Sequence, residues 1–320
     1  MSTFGMNGVI VFPAHNGRQA FKIRRFNQVT IESSWKSLTD TAEIIIPRRV
    51  KDFDRKKIDE WFREGDPVEI KLGYDLEAEV EFTGYISKVS AGFPITIECE
   101  DEMYHLKRKQ VNVSIQNCTL KELLEEIAPG YNIVGDETKL VGTFRFKNKT
   151  AAECLDELKE KGINCYFSGK DLYAMQTTRR SVGKPTQIIV ERTAGESLQQ
   201  KAVEQTKVII ELIRRIGKKL KVEYGDNDPA KTIRFQYSGD VISEDAMLSE
   251  AKEVYKQAKT PGMDGDITLF GIPRMRIGDV VDLKSNMYPN KNGLYYIDSV
   301  TKTFSEEGYR QQCKLGDKAV

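Results

Sequence analysis

Hydrophobic and polar residues partly alternate in several segments of the first hundred positions, in the pattern of half-buried β-strands. Four segments in this stretch are rich in β-branched and aromatic residues and are flanked by turn-forming residues. They are 41–47, 68–72, 79–90 and 95–99. Several short strands of this kind predict a compact β-barrel of about 100 residues.

One short helix is predicted to interrupt these strands. Asp54 is its candidate N-cap, Ile58, Trp61 and Phe62 fall on one helical face, and Gly65 is positioned to end it. A single helix does not change the fold class of this stretch. We therefore assign residues 1–110 to a first β-barrel domain.

The apolar spacing changes to a helical period within residues 111–180. Thr119 and Glu122 form a capping box ahead of a leucine-rich run, and Thr150 and Glu153 form a second one. The glycosylation-like triplets that end at these two threonines are therefore explained as strand ends and helix caps. Two closing strands, INCYF and DLYAM, follow the second copy. The region predicts a small α/β domain with helices on one face of a sheet.

Strand patterns return after residue 181, in the segments QIIVE, KVIIELI, KLKVEY and TIRFQY. The second and third of these predict a hairpin that turns near Gly217. A helix with one apolar stripe is predicted at about 243–259, and Pro261 and Gly262 end it. Residues 181–320 are assigned to a second barrel domain that includes this helix.

A long-range repeat relates the two ends of the chain. The matched segments are Gly65-Asp66-Pro67-Val68 with Gly278-Asp279-Val280-Val281, and Tyr85-Ile86 with Tyr296-Ile297. A Gly-Asp pair is typical of a turn, and each copy ends in a strand that carries a cysteine, Cys99 or Cys313. The expected fold is α+β and mainly β, with two β-barrel domains related by internal duplication and a small α/β insert domain between them.

Composition and motifs give little support to catalysis. Lys and Arg total 49 against 48 for Asp and Glu, so the basic excess of a nucleic-acid-coating protein is missing. The two histidines, His15 and His105, have no metal-binding partner at motif spacing, and no phosphate-binding glycine motif occurs. The sequence assigns no catalytic, cofactor-binding or metal residue.

The remaining features point to a protein assembled in a cytoplasm. Five cysteines without a CxxC pair suit buried reduced thiols. No apolar run approaches the length of about 18 residues that spans a membrane, and the first residues lack a secretory signal. Basic doublets recur along the chain. The segment 214–219 is the best of them for a contact with a neighbouring chain.

Residues 264–316 resemble the final segment of phage late control protein D and related baseplate hub proteins of contractile injection systems. Residues 29–47 and the strands after them are also similar to these hubs, and the central α/β segment resembles small domains of hubs and of secretin N-terminal regions. The residues that carry this signature are Gly65, Asp66, Val68, Gly84, Tyr85, Ile86, Gly271, Pro273, Gly278, Asp279, Val280, Gly293, Tyr295, Ile297, Val300, Gly308 and Tyr309.

The resemblance implies a structural protein rather than an enzyme. Hubs of this family carry two barrels that resemble the tail-tube protein and form homotrimers. Six quasi-equivalent barrels then adapt a sixfold tail tube to a threefold spike. The implied partners are the central spike protein, the tail tube or a tube initiator, and baseplate wedge proteins, with a tape-measure protein or DNA passing through the lumen. The implied location is the virion tail baseplate, assembled in the host cytoplasm, without a cofactor or a membrane.

Two alternatives belong to other classes. A tail-associated peptidoglycan-degrading enzyme would need a pair of catalytic carboxylates in a cleft. A secretion or adhesion module built on the secretin-like domain would confine function to residues 111–175. Neither alternative explains the repeated Gly-Asp strand signature.

Overall fold

The computed structural model describes residues 5–47, 61–75, 77–90, 92–176, 184–214, 219–239 and 242–319. Its first part consists of seven strands, among them the four strands predicted between residues 41 and 99. The strands are β1 Met6–Phe12, β2 Phe21–Ile23, β3 Gln28–Ser34, β4 Thr41–Ile46, β5 Pro67–Tyr74, β6 Glu77–Ser90 and β7 Ile95–Glu100. We call β1–β7 the N-terminal strands.

The helix predicted around residues 54–64 lies mostly outside the described residues, including Asp54 and Ile58. Phe62 is buried in the core of the N-terminal strands, and Trp61 packs against that core. Gly65 has a left-handed φ of 84° just before β5. Glycine adopts this conformation without a Cβ clash, so Gly65 sets the entry into the strand.

The central α/β segment contains both predicted capping boxes. Thr119 accepts a hydrogen bond from the backbone N–H of Glu122, Thr150 accepts one from Glu153, and each glutamate bonds back to the cap residue. The elements are α1 Met103–Leu106, β8 Gln110–Thr119, α2 Leu120–Ile127, β9 Asn132–Gly135, β10 Leu140–Thr150, α3 Ala151–Glu157, a 3-10 helix Leu158–Lys161, β11 Asn164–Ser168 and β12 Asp171–Met175.

The two strand-helix copies of this segment match in backbone conformation. Asn117 and Asn148, each two residues before its capping threonine, both have positive φ, 49° and 54°. β8 pairs antiparallel with β10, and β11 and β12 form the predicted hairpin. β9 pairs parallel with β12, which the sequence pattern does not predict. Helices and strands share one buried cluster.

Short strands, a three-stranded sheet and one long helix make up the rest of the chain. The elements are β13 Thr186–Ile189, a 3-10 helix Val190–Arg192, β14 Gly195–Glu196, β15 Gln199–Gln200, β16 Thr206–Ile213, β17 Leu220–Gly225, β18 Lys231–Ser238, α4 Glu244–Ala258, β19 Met263–Asp264, β20 Asp266–Phe270, β21 Val280–Lys284, a 3-10 helix Pro289–Lys291, β22 Gly293–Ser305 and β23 Gly308–Lys318. We call β13–β15 and β19–β23 the C-terminal strands.

The predicted helix near 243–259 is confirmed as α4, which is capped by Ser243. Its stripe, with Met247, Ala251 and Val254 buried, packs on the three-stranded sheet β17-β16-β18. β16 pairs antiparallel with β17 as expected, while the turn at Gly217 lies outside the described residues. This layer has its own buried cluster, separate from that of the C-terminal strands.

The N-terminal and C-terminal strands join in one large, mainly antiparallel sheet. Its main path of paired strands runs β14-β20-β23-β22-β3-β4-β7-β6-β5-β1-β2. The fold is therefore mainly β, as expected. Among the described residues the path does not close on itself, so the two separate closed barrels stay a prediction. The domain boundaries at residues 110 and 180 stay a prediction as well.

Candidate assembly interface

The two Gly-Asp turns found in the sequence have the same backbone hydrogen bonds. The N–H of Gly65 donates to the carbonyl of Ile86 at 2.8 Å, and that of Gly278 donates to Ile297 at 2.9 Å. In return, Ile86 donates to Asp66 at 2.9 Å and Ile297 donates to the equivalent aspartate at 3.0 Å. The match extends to φ, which is 84° at Gly65 and 79° at Gly278. The repeated residues therefore form the same hydrogen-bonded turn at both ends of the chain.

The aspartate side chains of these turns differ in their partners. The buried carboxylate of Asp66 accepts a hydrogen bond from Arg18 at 2.8 Å and lies 3.0 Å from His15. Asp279 instead accepts from the backbone N–H of Arg276 at 2.8 Å. The N-terminal copy thus uses its aspartate to fasten the loop between β1 and β2.

The strands that follow the turns also carry matching irregularities. In β6 the register with β7 shifts between Ile86 and Lys88, and in β22 the register with β23 shifts between Ile297 and Ser299. Val89 lies opposite Ile97, whereas its counterpart Val300 lies opposite Cys313. Cys313 therefore corresponds to Ile97, two residues from Cys99, and the shared cysteine does not mark equivalent positions. All five cysteines are free and buried.

The two strand sets are joined edge to edge inside the chain. β22 pairs antiparallel with β3 over seven residues, from Ser299 opposite Ser34 to Ser305 opposite Gln28. Phe304 and Tyr309 from the C-terminal strands enter the buried cluster of the N-terminal strands. We call this contact the in-chain junction.

A buried ionic cluster holds the in-chain junction on the core side. Glu81 on β6 bonds the ammonium of Lys302, the guanidinium of Arg274 at 2.9 Å and the hydroxyl of Tyr309 at 3.3 Å. The side chains of Glu81 and Lys302 are only 3% and 7% exposed. Burial lowers the pKa of Lys302, and the adjacent Glu81 carboxylate opposes that shift. Because β6, β22, β23 and the loop at Arg274 all contribute, the cluster fixes the two strand sets relative to each other.

A second polar contact holds the junction at the end of β3. The buried carboxylate of Asp298 accepts hydrogen bonds from the indole N–H of Trp35 at 3.0 Å and from Lys36. A cleft of about 460 Å³ lies beside it, lined by Glu32, Ser33, Ser34, Lys36, Ser37, Thr39, Thr41, Asp298, Ser299, Thr301 and Lys314. Most of these side chains are hydroxyls or charged groups, so the cleft is polar.

One face of the joined sheet is polar across both strand sets. The inward face of these strands is apolar, apart from the bonded Glu81, Lys302 and Gln311. The opposite face carries mostly Thr, Ser, Gln and charged residues in register. They are Thr30, Glu32, Thr41, Glu43, Thr96, Glu98, Asp266, Thr268, Ser299, Thr301, Thr303, Arg310, Gln312 and Lys314. We call this side the polar face.

The α/β segment is attached to the N-terminal strands through carboxylates. Asp40 and Asp101 exchange backbone contacts, with the N–H of Asp40 donating to the Asp101 carboxylate at 3.0 Å. Burial raises the pKa of both carboxyl groups, and the proximity of Asp40 raises that of Asp101 further. Beside them, Glu102 accepts from the hydroxyls of Tyr85 and Tyr131 at 3.2 and 3.1 Å. Both acids therefore resist ionisation in the folded chain.

The predicted signature residues lie at turns and on strands around the junction. A Cβ on Gly271 would lie 2.0 Å from the ring of Tyr309, and a Cβ on Gly84 would lie 2.1 Å from the carbonyl oxygen of Glu100. The others are Val68 on β5, Tyr85 and Ile86 on β6, Pro273 in a cis peptide, Val280 on β21, Gly293, Tyr295, Ile297 and Val300 on β22, and Gly308 on β23. That they form a family signature stays a prediction.

The charged residues of the ionic cluster, Glu81, Arg274 and Lys302, are absent from the sequence-based prediction, which named only Tyr309 among its members. Their one signal is Lys302, which occupies an inward position between Val300 and Phe304 where the alternation predicts an apolar side chain.

The two histidines lie in separate places. His15 contacts Asp66, and His105 packs edge-on against Tyr85. No three His, Cys, Asp or Glu side chains of the described part of the chain are grouped to hold a metal ion. Within that part, no helix combines the length and apolarity needed to cross a bilayer.

Comparison with solved structures identifies the fold. The chain superimposes on a tail protein from Neisseria meningitidis with a TM-score of 0.69 at 12% identity, covering 97% of this chain and 96% of that one. The 43 kDa tail protein of prophage MuSo2 from Shewanella oneidensis gives 0.67 at 14% identity, with 98% of both chains covered. A type VI secretion component from E. coli, described as similar to phage T4 tail proteins, gives 0.59 at 10% identity over 92% of this chain and 74% of that one.

These similarities confirm, at the level of the fold, the resemblance to phage tail proteins inferred from the sequence. No family model matches the chain, and no curated protein matches it by sequence. The shared fold extends over almost the whole chain, including the α/β segment. It is thus the fold of phage-tail and secretion-machine components.

Proposed function

We propose that this chain is a baseplate hub of a contractile phage tail or a related injection machine. In this role it forms a homotrimer that joins the sixfold tail tube to the threefold spike. The observation that carries the proposal is the in-chain junction, where two strand sets with the same Gly-Asp turn pair edge to edge. A chain that already contains two such sets presents six of them in a trimer, which is what a threefold-to-sixfold adaptor requires.

The polar face supplies the channel wall of the proposed ring. The apolar face of a sheet must be buried against another part of the protein, which leaves the opposite face available to line a channel. Because the face opposite the core carries hydroxyl, amide and charged side chains across both strand sets, it suits a water-filled lumen. A tape-measure protein or DNA would pass along this face, between a spike on one side and a tube or tube initiator on the other.

The proposal places the protein in the tail baseplate, where wedge proteins would contact the outer α/β and α4 layers. Its role is mechanical rather than catalytic. The polar cleft beside Asp298 does not suit a glycosidase, because that carboxylate is already engaged by Trp35 and Lys36. A general acid would need a free position toward the substrate.

Light scattering of the purified protein over a range of concentrations tests the proposal, together with negative-stain imaging. We expect a three-chain particle that images as a ring with six lobes. A chain that stays monomeric at every concentration, with or without a candidate spike, would refute the adaptor role. A direct assay of peptidoglycan turnover tests the enzyme alternative, and we expect no turnover.

A further inference from the structure

The in-chain junction uses a defined stretch of the β22 edge. Ser299, Val300 and Thr301 lie opposite Ser34, Ser33 and Glu32 of β3. These residues come directly after the register shift of β22, on the edge that is not paired with β23. A strand edge offers unpaired backbone N–H and C=O groups to a second strand, and on β22 that second strand is β3.

The equivalent stretch of β6 has no partner strand among the described residues. The shared hydrogen bonds and register shifts make Ile86 the counterpart of Ile297, so Lys88–Ser90 corresponds to Ser299–Thr301. On β6 these residues pair with β7 on one side only, since β5 pairs with β6 up to Tyr85. Within the described residues, the N-terminal strands therefore present a free edge on β6, at the position equivalent to the one where β22 binds β3.

The counterpart of β3 can be found by following the registers. Ile44 of β4 lies opposite Ile97 of β7, and Ile267 of β20 lies opposite Cys313, the counterpart of Ile97. β4 and β20 are therefore equivalent, and their next neighbours are β3 and β14. Val29 lies opposite Ile44, and Glu196 lies opposite Ile267.

This register continues from β14 into β15. If Val29 corresponds to Glu196, then Ile31 corresponds to Leu198 and Glu32 corresponds to Gln199. Ile31 and Leu198 are both buried, 1% and 4% exposed, which agrees with the alignment. β15 pairs with β19 on one edge, and no described strand pairs with its other edge.

We propose that the free edge of β6 pairs antiparallel with the free edge of β15 in a second copy of this chain. The register copies the in-chain junction. Ser90 lies opposite Gln199 of the second copy, Val89 opposite Gln200, and Lys88 opposite Lys201. The proposal rests on the proposed function and specifies the interface that a ring of hubs would use.

Exposure at the two edges agrees with this pairing, and the lysines that would meet there are each neutralised within their own chain. Lys88 and Lys201 face each other, but each has its own acid, Glu98 at 2.9 Å and Asp317 at 2.7 Å. Val203, just beyond β15, is 49% exposed, an apolar side chain that a neighbouring chain would cover. The two edges belong to different strand sets, so the contact is head-to-tail, and it closes into a ring where the rotation between neighbouring copies is one third of a turn.

Disulfide trapping with the full chain tests the register. In the double variant Ser90→Cys and Gln199→Cys, each introduced thiol faces its partner in the neighbouring copy, at the Cα separation of about 5 Å found across an antiparallel pair. The native cysteines are buried and do not compete. Under mild oxidation we expect a reducible ladder on a denaturing gel that ends at three chains.

The matched control shifts the register by two residues. In Ser90→Cys with Lys201→Cys the two Cα atoms would lie about 8 Å apart, beyond the reach of a disulfide, so we expect only monomer. Equal or stronger trapping in this control would overturn the register.

Light scattering of the reduced variants separates the two proposals. A trimer that cannot be trapped through residues 90 and 199 would overturn this interface and leave the hub intact. A ladder that continues beyond three chains would support the edge pairing and overturn the trimer. A monomer that gives no ladder would overturn both.

Discussion

The ionic cluster at the in-chain junction gives the sharpest prediction, the substitution Glu81→Gln. Glu81 is the only acid of the cluster's buried part, where it faces Lys302 and Arg274. Removing its charge leaves the ammonium of Lys302 buried at 7% exposure without compensation. Breaking a buried ion pair in this way costs about 3–5 kcal/mol in free energy of unfolding.

The substitution Lys302→Met should cost less than half as much. The carboxylate of Glu81 would keep its bonds to Arg274 and Tyr309, and the methionine would fill most of the space. In the double variant both buried charges are gone, so at least half of the Glu81→Gln loss should be recovered. Burial lowers the pKa of Lys302 in the folded chain, whereas the unfolded lysine keeps its proton up to about pH 10. Raising the pH toward about 10 removes the charge of the unfolded lysine as well. The stability lost in Glu81→Gln should therefore become smaller as the pH rises.

Urea unfolding followed by tryptophan fluorescence measures these effects, since Trp35 lies at the junction. With a slope of about 2–3 kcal/mol per molar urea, Glu81→Gln should lower the midpoint by about 1–2 M. The matched control is Glu79→Gln, which removes an acid bound to the same Arg274 but 66% exposed. Exposed pairs contribute about 1 kcal/mol or less. If the two variants lose equal stability, burial does not give the cluster its strength.

Three further substitutions test other parts of the structure. Gly271→Ala should destabilise the protein by about 2 kcal/mol or more in urea unfolding, because the new Cβ meets the ring of Tyr309 at 2.0 Å. Thr150→Ala should cost about 1 kcal/mol through loss of the capping box of α3. For Asp40→Asn we expect a gain in stability over wild type that grows as the pH rises from about 4 to about 8. The raised pKa of Asp40 beside Asp101 means that the folded protein binds a proton there which the unfolded chain has already released.

Each of these has a direct control. Gly92→Ala places a Cβ no closer than 3.3 Å to another atom and should be nearly neutral. Thr150→Ser keeps the capping oxygen and should retain most of the stability. For Asp40→Asn, the control is the melting temperature of the variant and of wild type, measured across the pH range. Parallel curves for the variant and wild type would contradict the buried, protonated state of this carboxyl group.

Local patterns in the sequence were sufficient for most secondary structure. The capping boxes at Thr119 and Thr150 depend on side chains three residues apart, so the sequence contains all of the information. The stripe of α4 and the strands β4 to β7 likewise follow from periods of 3.6 and 2 residues. β1 was missed because its run Gly8–Phe12 is nearly continuously apolar, and β14, β15 and β19 were missed because two residues are too few to show a period.

The repeat of the Gly-Asp turn could also be read from the sequence, since glycine at positive φ followed by aspartate leaves a recognisable trace. Each copy does end in a strand that carries a cysteine, but the sequence could not show whether Cys99 and Cys313 are equivalent, because strand register depends on hydrogen bonding. The structure shows that Cys313 corresponds to Ile97 instead. A cysteine at the end of a strand fixes no register of its own.

The sequence by itself determined the mainly β class, the capped α/β segment and the resemblance to tail proteins, because each rests on contacts between near neighbours or on a recognisable order of motifs. Only the tertiary structure decided that β22 pairs with β3, and that Glu81 meets Lys302 and Tyr309 across more than two hundred residues. Pairing between such distant strands is selected by the packing of the whole sheet, and no short pattern encodes it. The candidate interface follows from those registers, so it became visible only once the chain was folded.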